Sequence, residues 1–165
     1  IPLCIGLFSP MAGVAADRVG ARTIMTIGVL LFTIGYYLLS NLHVQSSTAE
    51  VVLRLLPVGL GMGIFQAPNN SAIMGAVPSS QLGIASGLVS ITRTLGQTLG
   101  VAIIGTLWAA STLASYDGSL SGGATSAPVE AQVAGLQDAL LAVTLLALFA
   151  LLMNGWLLFR TRTNA

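Results

Sequence analysis

The sequence has no lysine, and charged residues make up only 7% of it, against about 25% in ordinary soluble domains. Six arginines and five acids cannot clothe the outside of a 165-residue soluble fold. A soluble enzyme, a disordered tail and a nucleic-acid binder are therefore excluded together. A net charge of +1 gives no field to steer phosphates or acidic partners. One cysteine excludes an internal disulfide framework and any cysteine-based metal cluster. One histidine, His43, leaves no two-His metal spacing and no Ser/His/Asp set, and no Lys-bearing phosphate loop is present. The sequence thus calls for no metal and no cofactor.

What is abundant is apolar: 55% of residues are hydrophobic and mean hydropathy is +0.89. The fold class expected is an all-α polytopic membrane protein, with room for roughly four to six crossings at about 20 residues each. Five segments stand out, at 1–16, 23–42, 51–76, 82–111 and 138–159, followed by a polar, basic tail at 160–165. The chain opens at Ile1 without Met and is apolar at once. Segment 1–16 would rise about 24 Å as a helix, short of a hydrocarbon core of about 30 Å. It reads as a truncated helix, with Pro10 a kink or cap break. No charge lies between Arg54 and Arg93, a stretch too long for one crossing, and Val77-Pro78-Ser79-Ser80-Gln81 divides it as a turn and helix N-cap. Tyr116 to Pro128, rich in Gly and Ser, reads as an exposed loop.

Five crossings put Arg18, Arg22, Arg160 and Arg162 on one side. Only Arg54 lies near the other, beside Glu50, Asp117, Glu130 and Asp138. The excess of arginine marks the first side, and with it the C-terminus, as cytoplasmic in a plasma-membrane protein.

The segments differ in polarity. The second and fifth are plainly apolar and can face lipid all round. The third and fourth carry Gln66, Asn69, Asn70, Ser71, Arg93 and Gln97, and polar groups at membrane depth must face protein or water. The third and fourth are therefore expected to line an interior, with the second and fifth outside them. Gly59 and Gly63, Gly83 and Gly87, and Gly96 and Gly100 each stand four apart, a spacing that lets helix backbones approach closely. They serve either static packing or a sliding interface. Arg93 is either a cavity-lining or gating cation or an arginine snorkelling to the headgroups. Gln97 follows it one turn along on the same face. Pro68 frees a backbone carbonyl, which Asn69 and Asn70 can repair unless they face a solute instead. His43 reads as an interfacial residue, Cys4 as a small packed hydrophobe, and Trp108 and Trp156 as interface indoles. Gly59-Leu60-Gly61-Met62-Gly63 is no nucleotide loop, since it lies inside an apolar span.

The loop Gly13-x-x-x-Asp17-Arg18-x-Gly20-x-Arg22 resembles the cytoplasmic-loop signature of the major facilitator superfamily, with Ala21 in place of one basic residue. Arg54-Leu55-Leu56-Pro57, Gly61-x-Gly63-x-Phe65-x-x-Pro68-Asn69-Asn70-Ser71, Gly83-x-Ala85-Ser86-Gly87 and Arg93-x-x-Gly96 resemble its EmrB/QacA-type branch of fourteen-helix drug/proton antiporters. The resemblance implies the C-terminal part of such a fold, its N-terminal half lying elsewhere in the same protein. It implies alternating access, with a hydrophobic or cationic small molecule and protons as partners inside a lipid bilayer. It also implies that Gly13, Asp17, Arg18, Gly20 and Arg22 form a latch on the cytoplasmic side. In the family the proton-carrying acids lie in the first half. A membrane scaffold or sensor subunit without transport is the alternative; it explains the packing glycines but not two polar spans.

Overall fold

The structure, a computed structural model, describes residues 2–116 and 122–163, with side chains as far as Trp156. Five α-helices account for most of it: α1 (Pro2–Val19), α2 (Ala21–Ser40), α3 (Thr48–Gly75), α4 (Leu82–Ala114) and α5 (Val129–Thr163). No strand occurs among the described residues. Among the described residues four helical segments are long and apolar enough to cross a membrane: Ala21–Ser40, Thr48–Gly75, Ser79–Ala114 and Val129–Trp156. Asp117 and the side chains of Arg160, Arg162 and the rest of the tail, which entered the reading of sidedness, lie outside the described residues.

Local chemistry sets the helix ends. Gly20 takes φ +96°, a left-handed conformation that only glycine adopts cheaply, so α1 stops and α2 starts one residue later. Ser47 caps α3 by accepting from the Glu50 amide at 3.2 Å. Arg54, paired with Glu50, donates to the carbonyls of Leu38 (3.1 Å) and Asn41 (2.6 Å), neutralising the negative end of α2. Gln137 of α5 donates to the Leu42 carbonyl at 2.5 Å, so three helices are tied at one turn. The α3–α4 turn is a short 3₁₀ segment, Ser79–Gln81, but neither serine supplies the expected side-chain cap. The prolines at 10, 57 and 68 all sit within helices that continue through them, so Pro10 does not break α1. Helix α5 starts nine residues before the apolar segment expected at 138, with Pro128 before it and Glu130 in its first turn. In the preceding loop Ala124 and Ala127 are buried, and Gln132 donates to the carbonyls of Thr125 and Ala127.

The expectation that the second helix faces lipid all round is corrected. Helix α2 is the most buried of the four long apolar helices, packed between α3 and α5. The reason is glycine. A Cβ on Gly61 would lie 2.7 Å from the Gly28 carbonyl oxygen, and one on Gly35 would lie 2.8 Å from the Val58 nitrogen. Bare backbone meets bare backbone, and the apolar flanks close around it. On the other side of α3, a Cβ on Gly63 would come within 3.0 Å of the Cys4 carbonyl of α1. Ala12, Ala16 and Ile24 form a small core at the end where α1 turns into α2.

Helix α4 is the exception. It is the least buried of the four, and it packs on α5 but barely on α3. Its fixed point is at its C-terminal end, where Trp108 Nε1 donates to the Gln132 carbonyl at 3.0 Å and Thr112 is fully buried against Gly135.

Candidate functional site

The site forms where α3 and α4 diverge. A cleft of about 440 Å³ opens between them, with α2 as its floor. Gln66 and Asn69 project from α3, and Arg93 and Gln97 from α4. Four of the five polar residues read as cavity or gate candidates thus share one space. The fifth, Asn70, joins them through its side chain: Arg93 Nη2 donates to Asn70 Oδ1 at 3.4 Å. Residues 66 and 70 are one turn apart on α3, as 93 and 97 are on α4, so two helical faces present this set by geometry alone.

The cation therefore meets a neutral amide rather than a carboxylate. A 3.4 Å contact is at the long limit of a hydrogen bond, and the guanidinium has further donors to give. Among the described residues the only ion pair is Glu50–Arg54, at the α2–α3 turn, far along the chain from Arg93. Asn69 lines the same cleft and a neighbouring one of about 360 Å³ shared with Ile73 and Thr92.

Sequence reasoning missed the apolar half of this wall. Phe32 of α2 and Met62 and Phe65 of α3 border the cleft as well. Phe32 also stacks on Tyr36, with ring centroids 6.2 Å apart. Nothing in an apolar helix marks one phenylalanine as facing a cleft. The available signal was spacing: Phe65 and Gln66 precede Asn69 by one turn, so the polar residues predicted their neighbours.

The glycines divide. Gly59 and Gly63 are buried in α3. At Gly83, Gly87, Gly96 and Gly100 an added Cβ would meet nothing within 4 Å in this chain. The close approaches within the bundle belong to Gly63 of the expected set and to Gly28, Gly35, Gly61 and Gly135.

The Gly13–Arg22 loop joins α1 to α2, at the end toward which the cleft residues run from Asn69 to Ile73. Asp17, Arg18 and Arg22 are exposed and make no ion pair with any described residue. Asp17 sits in the last turn of α1 and Arg22 in the first turn of α2. Both are the unfavourable sign for those helix ends, so local helix stability does not account for them. No group of three or more His, Cys, Asp or Glu among the described residues could hold a metal ion.

Comparison with known proteins gives this arrangement a context. The chain is 33% identical to the riboflavin transporter RibZ of Clostridioides difficile over 110 residues, covering 67% of this chain and 24% of that protein. It is 33% identical to the multidrug resistance protein Stp of Mycobacterium tuberculosis over 106 residues, 64% of this chain and 20% of that one. It is 35% identical to a triacylglyceride transporter of Mycobacteroides abscessus over 105 residues, 58% of this chain and 20% of that one. The chain thus spans between a fifth and a quarter of the length of these relatives. No solved structure matches it. A family model described as Major Facilitator Superfamily matches residues 2–165, essentially the whole sequence, and the chain belongs to that superfamily.

Proposed function

We propose that this chain is the C-terminal portion of a secondary transporter of the EmrB/QacA-type branch, which exports hydrophobic small molecules by alternating access in exchange for protons. The observation that carries the reading is the cleft. It joins amides and one cation (Gln66, Asn69, Gln97, Arg93) to aromatic and thioether surface (Phe32, Phe65, Met62). Such a wall desolvates an apolar solute and orients it through a few hydrogen bonds. Cationic solutes were an equal expectation from the family. The positive charge of Arg93 disfavours them at this wall and favours neutral hydrophobic ones. Of the relatives' named cargoes, triacylglyceride is a neutral solute of large apolar area.

In this reading further helices of the same protein supply the opposing wall and the proton-carrying acids. The protein sits in the plasma membrane with the Gly13–Arg22 loop and the C-terminus in the cytoplasm. Asp17, Arg18 and Arg22 latch that side through groups outside this chain. Reconstituted intact protein is expected to concentrate a lipophilic fluorescent compound in vesicles when a pH gradient is imposed, and to stop when the gradient is collapsed. Flux that ignores the gradient removes proton coupling, and no flux of any such compound removes the exporter reading.

The latch makes its own prediction. Asp17→Asn removes the one acid of the loop, so inward-open states gain population. Cysteine probes on the cytoplasmic side of the cleft, such as Ile73→Cys, are expected to react several-fold faster with a water-soluble maleimide in that variant. Unchanged reactivity dismisses the loop as a latch.

A further inference from the structure

Polar side chains in these helices usually satisfy themselves on nearby backbone. Asn154 donates to the Ala150 carbonyl at 2.8 Å, and Gln132 to the Ala127 carbonyl at 2.8 Å. On α4 itself Thr94 donates to Ser90 at 3.0 Å and Thr98 to Thr94 at 2.9 Å. The amides of the cleft do not follow this habit. The side chains of Gln66, Asn69 and Gln97 make no hydrogen bond to any described residue, and Asn70 engages only its oxygen, with Arg93. Beside these free amides stands a guanidinium, which donates and never accepts. Arg93 is the one charged residue bordering the cleft, and no carboxylate of a described residue lies within ion-pair distance of it. The cleft thus holds donors in excess and lacks a negatively charged acceptor. The two kinds of surface are also separated along its length. Asn69 and Arg93 stand toward the α3–α4 turn, whereas Met62 lies seven residues back along α3, about 10 Å at helical rise. Phe32 is level with Met62, because its nitrogen lies against Gly61. Between the two ends Gly96 leaves room, since a Cβ there would meet nothing within 4 Å.

We propose that the cleft takes an amphiphilic organic anion. Its carboxylate, or a similarly delocalised acidic head, sits on Arg93 with the Asn69 and Gln97 amides as further donors, and its apolar body lies against Phe32, Met62 and Phe65. The positive charge that disfavours cations here does more than admit neutral solutes: it ranks anions above neutral analogues, and those above cations. The planar guanidinium matches a carboxylate in shape as well as charge, and a hydrogen bond between ionised partners is about twice as strong as a neutral one. A doubly charged phosphate head is a poorer fit, because it needs a second cation to leave water and the cleft has one. The cleft volume of about 440 Å³ suits a drug-sized molecule.

The inference rests on the reading of this cleft as a solute site. Its test measures binding without a gradient or flux, so failure of proton-driven export and failure of the inference are told apart. Three fluorescent probes share one ring system and differ in charge: anthracenecarboxylate, its carboxamide and aminomethylanthracene. Each is titrated at neutral pH against the purified intact protein in non-ionic detergent. The carboxylate is expected to bind about tenfold more tightly than the carboxamide, and the amine most weakly. Arg93→Ala should bring the carboxylate down to the level of the carboxamide while leaving the carboxamide unchanged. Arg93→Lys should keep part of the preference, since the charge remains and the fork does not. Met62→Ala should weaken all three by a common factor, because it removes only apolar surface. A merely structural Arg93 would instead weaken all three alike in Arg93→Ala, and that pattern overturns the proposal. Equal affinity of the unaltered protein for acid and amide also overturns it, as does tightest binding of the amine or saturable binding of none of the three.

Discussion

Replacing Arg93 by Ala is expected to cut transport by the intact protein at least about tenfold while leaving its amount in the membrane unchanged. The two halves of that expectation have one cause. A guanidinium within a membrane helix costs at least about 2.5 kcal/mol to insert unless it is paired or hydrated. Here its one hydrogen bond among the described residues runs to a neutral amide at 3.4 Å, so the chain holds a costly group without a matching acid. Removing it makes insertion easier, and abundance does not fall. What is lost is the only cation of the cleft, and with it any closure or solute contact that needs a charged donor. Loss of about 1.4 kcal/mol from such a contact already gives a factor of ten. Arg93→Lys keeps the charge but not the planar fork, so it should recover part of the rate. Asn70→Asp should slow transport in the opposite sense, by turning a loose contact into an ion pair that resists opening. Flux per molecule, measured at matched membrane levels, decides. Wild-type transport by Arg93→Ala takes Arg93 out of the mechanism.

The polar half of this site was legible because rarity marks it. Four amides and one arginine inside otherwise apolar helices have few physical excuses, and their one-turn spacing puts them on shared faces. The structure gathers Gln66, Asn69, Arg93 and Gln97 in one cleft and hydrogen-bonds Asn70 to Arg93. The apolar half was not legible, because Phe32 and Met62 look like any lipid-facing residue until the fold turns them inward. The burial of α2 was misread for a related reason. An unbroken apolar sequence such as that of α2 fits both a lipid-facing and a protein-buried helix, since hydrocarbon and a packed interior are equally dry. Glycine spacing was a partial guide: of the glycines in pairs four apart, Gly63 makes a close approach within the bundle, against Cys4 of α1. The chain has 19 glycines, so pairs four apart arise readily. The α2–α3 crossing uses Gly28 and Gly35, seven apart on α2, against Gly61 and Val58 of α3. Contact depends on the facing surface, which one helix's sequence does not carry. The 3.6-residue period would have placed Gly28 and Gly35 on one face, and that was the usable clue.

That crossing gives the largest effect expected on stability. A methyl at position 61 would stand 2.7 Å from the Gly28 carbonyl oxygen and 2.9 Å from the Phe32 nitrogen. Both are backbone atoms, so no side chain can rotate aside, and α2 and α3 must separate. Overpacking of this kind costs about 1–3 kcal/mol. Alanine's better helix propensity returns at most about 1 kcal/mol, which does not reverse the sign. Gly61→Ala should therefore lower the melting temperature of the purified intact protein, and Gly61→Leu should lower it much further. Gly6→Ala is the control: its Cβ meets nothing within 4 Å, so it should be neutral or slightly stabilising. Gly28→Ala carries the same strain from the other side, with Phe65 Cβ at 2.9 Å and the Gly61 oxygen at 3.0 Å. Once one methyl has pushed the helices apart, the second finds room, so the double variant should lose less than the two singles together. Phe32 and Phe65 flank this seam and border the cleft, so its width follows the helix spacing, and transport should fall with stability. A melting temperature for Gly61→Ala equal to that of the unaltered protein would mean that α2 and α3 do not cross backbone to backbone at this point.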